Sequence, residues 1–423
     1  MLIEKLLTWY MRNIARRSFT LRRTACPPVL HPFAGKDYVL YAHIPFCETL
    51  CPYCSFYRIP FEESLAKRYF DCLEREIELL AADGFRFTAV YVGGGTPTVL
   101  PEKLASLLEM IQTTWPVKEI SVETHTQHLT PNTLRILKEA GVKRLSIGVQ
   151  TFDGDLLRRI NRHQACLSTS EIKRRIALAQ ESFATVNVDM IYNFPSQGLK
   201  SILEDIKVLK ELEVDQITFY PLMESRQTAK GLLPQHERIS YPREKRFYQR
   251  ILRELQDVYY MTSAWCFSHR ERYRADREGR MIDEYIVDYD EYAGVGAGAF
   301  GFLNGIFYAN IFSVEDYMNR VKSGRLPIMA KSNFPLRERA RYDFLMKLFG
   351  TSLNLEFMKE KYGVFYLFFI WREILVSFLL GVVRIRKGTL SLTSEKAYYF
   401  VILMREFFAG VNQFREICTE EIR

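Results

Sequence analysis

Six short apolar segments alternate with amphipathic helical segments along the first half of this chain. The apolar segments are rich in β-branched and aromatic residues, as strands are, and they occupy 38–44, 88–92, 119–123, 144–149, 185–192 and 216–220. Helical patterns lie between them, for instance over 101–113 and over 131–140, which Thr130 caps and Gly141 ends. Repeated strand–helix units form parallel sheets, so the sequence predicts an α/β fold built on a partial (β/α)6 barrel. In such barrels the chemistry lies where the strands end.

Three cysteines follow the first predicted strand, in the run HIPFCETLCPYCSFY. Cys47, Cys51 and Cys54 have the spacing C-x3-C-x2-C, and no fourth ligand follows at the spacing of a zinc site. A [4Fe–4S] cluster is normally held by four cysteines, so three leave one iron free. Reductive cleavage of S-adenosylmethionine (SAM) needs that free iron, because the methionine amine and carboxylate chelate it. Three buried thiols or a redox pair are the alternatives, and the spacing favours the cluster.

The composition indicates the cellular compartment of the protein and the kind of substrate that it binds. Eight cysteines are spread over 423 residues without a signal-peptide pattern, so we expect a cytoplasmic protein whose thiols stay reduced. An apolar share of 48%, with 24 Tyr and 30 Phe, excludes a disordered chain and suits a site for a flat, apolar substrate. The strongest apolar run, 364–383, carries Arg372 and Glu373 at its centre, where charges are costly in lipid. It predicts a buried helix pair or a surface-associated helix.

Positive charge concentrates at the amino-terminal end. Residues 1–23 hold six basic residues against Glu4, a local +5 of the formal +8. One face there is apolar at helical spacing and comprises Ile3, Leu6, Leu7, Tyr10 and Ile14. The pattern is typical of a basic amphipathic helix at the inner face of a membrane, and equally of a helix packed on the barrel. No stacking or groove-reading motif accompanies the charge, so we expect no nucleic-acid partner.

Seven motifs in family order resemble those of the radical SAM superfamily. They are YAHIPFCETLCPYCSF, YVGGGTPT at 91–98, VET at 122–124, RLSIGVQTF at 144–152, INRHQ at 160–164, NVDMIYNFP at 187–195 and GVGAGAFG at 294–301. They are most similar to the branch of coproporphyrinogen dehydrogenase (HemN) and the haem chaperone HemW, and the resemblance covers nearly the whole chain. It implies that the cofactors are a [4Fe–4S] cluster, held by the three cysteines, and SAM. It also implies a low-potential electron donor as a partner.

The resemblance carries over two sets of SAM contacts. The residues that correspond to contacts of the cluster-bound SAM are Tyr41, Gly94, Glu123 and Phe300. The residues that correspond to contacts of a second SAM are Tyr53, Gly95, Thr96, Gln150, Arg162 and Asp189. The three glycines at 93–95 agree with a ligand site, because backbone groups approach a ligand closely where no Cβ intervenes. The motifs identify no proton acceptor.

The same resemblance divides the chain into four parts. We expect a basic amphipathic segment and linker over 1–33, the partial barrel over 34–225, and a barrel extension with substrate contacts over 226–335. Within that extension, 225–290 is charged and predicted to be irregular. Residues 336–423 are expected to form a small helical domain that resembles the winged-helix-like carboxy-terminal domain of the HemN branch. Tyr220 and the run 262–269 are candidate elements of a substrate pocket.

Two departures from the HemN pattern bear on function. Phe56 stands where those dehydrogenases have a fourth cysteine, and the third strand reads ETH where the branch commonly has ExNP. Stretches such as CPYCSFYRIPF resemble menaquinone C8-methyltransferases, which implies a radical SAM methyltransferase that uses two SAM molecules on an aromatic quinone carbon. The alternatives are a HemW-like haem chaperone and an oxygen-independent coproporphyrinogen III dehydrogenase-like enzyme. His125 and His128 are candidate haem ligands or proton carriers, although an ordinary polar loop role is expected.

Overall fold

The computed structural model describes residues 2–18, 21–24, 30–33, 35–160, 162, 167–195, 197–223, 239–272 and 285–420. The INRHQ motif, the linker before residue 34 and the segment 225–290 therefore lie partly outside the described residues. The chain begins with helix α1 (Leu2–Ser18). The predicted barrel follows it.

Six parallel strands form the centre of the main sheet, and each predicted strand segment is confirmed to within two residues. They are β1 (Tyr38–Ile44), β2 (Phe87–Gly94), β3 (Glu119–His125), β4 (Arg144–Gln150), β5 (Thr185–Tyr192) and β6 (Gln216–Pro221). The helices that connect them are α2 (Glu63–Ala82), α3 (Pro101–Thr114), α4 (Pro131–Glu139), α5 (Gly154–Arg159), α6 (Thr169–Ser182) and α7 (Leu199–Leu212). Every residue of β2 is buried, as expected of a parallel strand covered on both faces.

The sheet continues beyond the six predicted strands on both sides. Helix α8 (Tyr241–Leu255) precedes two antiparallel strands, β7 (Tyr259–Met261) and β8 (Cys266–His269), and β8 pairs with β6. On the other side β9 (Tyr292–Val295) pairs in parallel with β1, and an antiparallel set follows: β10 (Phe300–Leu303), β11 (Ile306–Asn310) and β12 (Ile328–Asn333). The short helices α9 (Tyr285–Asp288) and α10 (Val314–Lys322) lie between these strands in the chain.

Helix α8 corrects the prediction that 225–290 is irregular. The segment 241–255 is highly charged, but it is also amphipathic. Four of its apolar residues recur at helical spacing and are buried, namely Phe247, Tyr248, Ile251 and Leu255. Ser240 caps the helix by accepting a hydrogen bond from the backbone N–H of Arg243. The segment is thus structured where it is described.

The carboxy-terminal region is helical with a small sheet. It contains α11 (Leu336–Phe349), α12 (Leu355–Tyr362), α13 (Tyr366–Leu379) and the long α14 (Tyr398–Glu420). The strands β13 (Ser352–Asn354), β14 (Val383–Arg386) and β15 (Thr389–Leu392) form an antiparallel sheet between them in the chain. The predicted domain boundary at residue 336 stays a prediction.

Helix α1 packs along α14. Met11 is buried there, Arg12 forms an ion pair with Glu406 at 2.7 Å, and the hydroxyl of Tyr10 donates to Glu373 at 3.1 Å. The predicted apolar face is only partly used, because Leu6 and Tyr10 are exposed. Helix α1 therefore packs on the protein, as one of the two predicted arrangements states. It packs mainly on helix α14, however, and not on the barrel.

Helix α13, from the apolar run 364–383, lies on the surface. Glu373 faces the protein, where it pairs with Arg341 at 2.9 Å, whereas Arg372 stacks on the exposed Trp371. Of the two predicted arrangements, the surface-associated helix is therefore the one found. Among the described residues, no helix is both long enough and apolar enough to cross a bilayer.

Candidate functional site

One cavity of about 330 Å³ opens where the parallel strands end. Its wall includes all three cluster cysteines, the glycine turn after β2, and side chains from the ends of β3, β4 and β5. Aromatic residues from the barrel extension and from α14 complete the wall. Residues far apart in the sequence thus meet at the edge where barrel enzymes carry their chemistry.

Two arginines contact the cysteine loop. Arg58 donates to the backbone carbonyls of Cys51 and Cys54, and Arg162 lies with its Nη1 3.7 Å from the Cys51 sulfur. Thr96 donates a hydrogen bond from its hydroxyl to the Cys47 sulfur at 3.5 Å. Burial raises the pKa of the Cys47 thiol to about 12. Burial therefore opposes the thiolate at Cys47, whereas the Thr96 hydroxyl and the Arg58 guanidinium favour anionic sulfur there.

The three thiols do not converge on one point. Within the described part of the chain, no group of three His, Cys, Asp or Glu side chains is arranged to hold a single metal ion. A [4Fe–4S] cluster needs no such convergence, because each cysteine binds a different iron. The free cysteines, the spacing between them and the cationic surroundings therefore fit a cluster better than a zinc ion.

The predicted contacts of the cluster-bound SAM lie together. Glu123 accepts hydrogen bonds from the backbone N–H of Gly94 at 3.1 Å and from the hydroxyl of Tyr91 at 3.0 Å. A Cβ on Gly93 would lie 2.8 Å from the Glu123 carboxylate, so that position has no room for a side chain. Gly94 has φ +118, a left-handed conformation that favours glycine. The glycine turn and the carboxylate thus form one polar corner of the cavity.

His43 fixes the orientation of Tyr41. The His43 Nε2 lies 3.0 Å from the Tyr57 carbonyl, to which it donates, and Nδ1 accepts from the Tyr41 hydroxyl at 2.9 Å. Burial lowers the pKa of His43 to about 4, so the ring stays neutral. The tyrosine ring stacks on Tyr285 with centroids 5.3 Å apart. His43 therefore acts as a hydrogen bonder beside the cluster loop.

The predicted contacts of a second SAM also line the cavity. Arg162 is buried, and it donates to the Tyr53 hydroxyl at 2.5 Å and to the Gly148 carbonyl at 2.6 Å. Gln150 has φ 70, and its side-chain oxygen is buried without a hydrogen-bond partner. Backbone strain and an unsatisfied buried acceptor are both typical of ligand sites.

Asp189 completes this second set. Its carboxylate accepts hydrogen bonds from Ser146 at 2.9 Å and from Asn187 at 2.8 Å. These contacts fix the side chain within β5, beside the register partner Gly148 on β4. Gly95 and Thr96 follow the end of β2, where their N–H groups bond the carbonyls of Ile44 and Phe46. All ten predicted SAM contacts line one cavity, and their role as contacts stays a prediction.

Aromatic side chains form another part of the cavity wall. Tyr220 and Trp265, both from predicted pocket elements, have ring centroids 5.3 Å apart, and Trp265 also packs on Phe408 of α14 at 5.8 Å. Ile191, Leu222 and other apolar side chains line the same surface. The wall suits a flat, apolar ring system.

His125 and His128 are engaged in the loop after β3. The Nδ1 of His125 accepts from the backbone N–H of Gln127, and His128 contacts Thr98 at 2.8 Å and Glu48 at 3.1 Å. Burial keeps the pKa of His125 well below its ordinary value. The polar loop role predicted for these histidines matches their contacts.

Sequence reasoning missed the contribution of α14. Arg415 and Asn412 reach the cavity from that helix, as do Phe407, Phe408 and Val411. No motif marks these residues, because they follow the cysteines by more than 350 positions and belong to a region expected to form a separate domain. The one available signal was the placement of Asn412 and Arg415, three residues apart and therefore on one face of a largely apolar helix.

Comparison with protein families agrees with the geometry. A family model described as the radical SAM superfamily matches residues 41–209, which contain the cysteines, the glycine turn and most predicted SAM contacts. The haem chaperone HemW of Bacillus subtilis is 30% identical over 339 residues, which cover 76% of this chain and 86% of HemW. The anaerobilin synthase of Escherichia coli O157:H7 is 28% identical over 305 residues, 69% of this chain and 66% of that protein.

A solved structure reproduces the whole fold. The coproporphyrinogen III oxidase HemN of Escherichia coli aligns over 92% of this chain and 95% of its own, with a TM-score of 0.76 and 20% sequence identity. This likeness confirms the predicted α/β fold. The names HemW and HemN agree with the predicted branch, and neither supports the predicted menaquinone methyltransferase over the alternatives.

Proposed function

The chain belongs to the radical SAM superfamily, in the branch that contains HemN and HemW, and from that premise we propose that it binds a tetrapyrrole beside its cluster. Members of the superfamily use a [4Fe–4S] cluster and SAM. The single observation that carries the proposal is one cavity in which the three cysteines, the polar corner of Glu123 and Gly94, and an aromatic wall meet. A HemW-like role is thus the function that this cavity supports best.

A [4Fe–4S] cluster, when bound here and reduced by a low-potential donor, would supply the electron for the reductive cleavage of SAM. The residues of this chain bind and orient the reactants. Cys47, Cys51 and Cys54 would hold the cluster, and Glu123 would offer a carboxylate to the methionine amine. The buried surroundings exclude water, which protects a reactive species from side reactions.

The tetrapyrrole assignment is supported by the aromatic part of the cavity wall. Tyr220, Trp265 and Phe408 present rings to the cavity, and aromatic faces stack on flat conjugated ligands. The relatives whose names state a ligand or substrate class point to haem and porphyrins. The absence of a fourth cysteine at Phe56 still argues against porphyrinogen decarboxylation.

Methyl transfer to a quinone ring remains the second candidate, for one specific observation. Arg162, Tyr53, Gln150 and Asp189 lie in the same cavity as the cysteines, and Arg162 approaches the Cys51 sulfur. A second SAM held there would place its methyl group beside the first SAM. The finer identity as a menaquinone C8-methyltransferase would follow from that arrangement.

Peripheral membrane contact is part of the same proposal. The exposed apolar side chains of α13 and the residues just before it include Val364, Phe365, Leu367, Phe368, Trp371, Leu375, Val376, Phe378 and Leu379. The Phe368 side chain is 77% exposed, and Trp9 of α1 is 65% exposed. A contiguous apolar surface of this kind marks an interaction site.

Basic residues beside the apolar surface of α13 indicate that this surface contacts an anionic membrane. Arg372, Arg384, Arg386 and Lys387 are exposed on α13 and just after it, and they form no ion pair within the described residues. Basic residues beside an apolar helix face are typical of helices that lie at the surface of anionic membranes. The hydroxyl of Tyr10 joins α1 to α13 through Glu373, so the amino-terminal segment predicted to contact lipid lies beside this surface.

Haem titration tests the proposed ligand. The protein, reconstituted anaerobically with iron and sulfide, should bind haem at one per chain, followed by the Soret absorbance. Tyr220→Ala should weaken haem binding and leave the iron content unchanged, because the ring belongs to β6 and the cluster ligands belong to the cysteine loop. Leu336→Ala, an exposed residue of α11, is the matched control and should bind as the wild type does. Absence of haem binding by the wild type would contradict the proposal.

A further inference from the structure

Arg415 is a buried cation in the wall of the cavity. It lies near the end of α14, is 8% exposed and lines the cavity beside Cys54 and Tyr41. Within the described residues it forms no ion pair. Burial lowers its pKa to about 10, so the guanidinium is still charged at neutral pH. Removing a charge from water is costly unless an opposite charge or hydrogen bonds compensate it. A buried cation without an ion pair therefore indicates that a bound ligand supplies the negative charge.

The surroundings of Arg415 hold the guanidinium in one orientation. Its Nη1 donates to the backbone carbonyl of Ser55 at 2.5 Å and to the side-chain oxygen of Asn412 at 2.7 Å. Its Cζ lies 5.4 Å from the ring centroid of Phe56 and 5.6 Å from that of Phe300. Cation–π contacts on two rings and two hydrogen bonds pre-organise the group. The position is a built site, not a surface arginine that happens to face inward.

Donors remain unused at this site. The Nε of Arg415 and the Nδ2 of Asn412 are buried without hydrogen-bond partners, and the Nη2 of Arg415 has none among the described residues. Guanidinium groups present their N–H donors in a fork that matches a carboxylate. The unused donors are therefore suited to bind an anionic oxygen of a ligand in the cavity.

The geometry points to Arg415 as a carboxylate-binding residue of the cavity, with Asn412 as its positioning residue. The inference rests on the proposed function for the identity of the ligands. Phe56 gains a role in it, because the ring that stands in place of a fourth cysteine supports the guanidinium of Arg415. The carboxylate has two possible sources, the methionine part of SAM and an acid side chain of the ring ligand, such as a propionate.

Two ligand series separate these sources. Haem carries two propionates, whereas haem dimethyl ester presents the same ring without a free carboxylate. We would measure the Kd of each, and the Kd of SAM, by titration of the reconstituted wild type, Arg415→Met and Arg415→Lys. Arg135→Met, which removes an exposed arginine from α4, is the matched control and should change none of these constants.

Arg415→Met should weaken one carboxylate ligand by about tenfold to a hundredfold, the cost of a charge-assisted hydrogen bond. Arg415→Lys should lose less, because it keeps the charge without the fork. Weaker haem binding with unchanged ester binding assigns the site to the ring ligand, and weaker SAM binding assigns it to methionine. Iron content and thermal unfolding should match the wild type in both variants.

Unchanged affinity for SAM, together with equal effects on haem and on its ester, would overturn the inference. Failure of the proposed function looks different. If the wild type binds neither haem nor the ester, the tetrapyrrole proposal is wrong. The Kd of SAM for the wild type and the Arg415 variants then decides whether Arg415 binds a carboxylate. If Arg415→Met does not fold, the lysine variant still decides between the outcomes.

Discussion

The Glu123 carboxylate accepts a hydrogen bond from the backbone N–H of Gly94 at 3.1 Å, across the neighbouring strands β3 and β2. The contact places an anionic group and a glycine turn at one corner of the cavity before any ligand arrives. Both residues are predicted contacts of the cluster-bound SAM, and their contact indicates that this part of the site is pre-organised. Pre-organisation lowers the entropic cost of binding.

Replacing Glu123 by Gln should weaken SAM binding by about tenfold or more, because a charge-assisted contact to the methionine amine is worth roughly 1.5–3 kcal/mol. The iron content should not change, since the cluster ligands are the cysteines of the loop and not this carboxylate. Equilibrium dialysis of SAM against the reconstituted protein measures the effect. Glu119→Gln, at the opposite end of β3, is the control. Equal SAM affinity in the two variants would refute a role for Glu123.

Each cluster cysteine should be individually essential. Changing Cys47, Cys51 or Cys54 to Ala should abolish the visible absorption of the reconstituted cluster and the cleavage of SAM, because the loop offers no replacement ligand. Cys72→Ala, a buried cysteine of α2, should keep the full iron content. Iron retained by the triple alanine variant would mean that the cluster binds elsewhere.

Stability should depend on the ionisation of Asp205. This buried residue of α7 accepts hydrogen bonds from the hydroxyl of Thr151 at 2.9 Å and from the N–H of Phe152 at 2.6 Å. Burial raises its pKa to about 7 from an ordinary 3.8. Its folded pKa lies above its unfolded pKa, so the stability that it contributes below about pH 4 is lost as the pH rises through 7.

Asp205→Asn should remove this dependence, since an amide keeps an acceptor for Phe152 and offers a donor to the Thr151 hydroxyl. Urea unfolding at pH 5 and pH 8 gives the test. The free energy of unfolding of the variant, relative to the wild type, should rise between these values by on the order of 1 kcal/mol or more. Asp257→Asn, an exposed control paired with Lys210, should show no such rise. An equal rise in both variants would contradict the assignment.

Membrane contact should depend on α13 as well as on the amino-terminal segment. Phe368→Ser with Leu375→Ser, and separately Leu6→Ser with Trp9→Ser, should reduce sedimentation with vesicles of phosphatidylglycerol and phosphatidylcholine. Neutral vesicles should bind less, because each basic residue near an anionic surface contributes about 1 kcal/mol. Leu336→Ser is the exposed control. Equal sedimentation of all variants would refute lipid contact, and a concentration-dependent dimer lost in the α13 variant would assign the surface to a second copy.

The barrel was predictable because its signals are local. Each parallel strand is a short apolar run between turn residues, and Tyr38–Ile44 and Thr185–Tyr192 match the predicted bounds without change. The cysteines, the glycine turn and Glu123 were predictable for a related reason, since each follows a strand and strand ends meet at one edge.

The rest depends on contacts between distant parts of the chain. Arg415 enters the cavity only because α14 returns to the cysteine loop, and nothing near residue 415 in the sequence reports that return. Strand β9 is similar, since Tyr292–Val295 becomes a parallel strand through pairing with β1. The exposure of α13 could not be predicted either, because an apolar run has the same sequence whether the helix is buried or exposed.

Incubation with SAM labelled at its methyl group with three deuteriums tests the central claim most directly. The reduced, reconstituted protein would be supplied in parallel with haem and with menaquinone, and the 5′-deoxyadenosine would be analysed by mass spectrometry. A HemW-like protein should bind haem at one per chain and yield 5′-deoxyadenosine without deuterium. Deuterated 5′-deoxyadenosine, a methylated naphthoquinone retaining at most two deuteriums, and no haem binding would contradict the account and establish the methyltransferase instead.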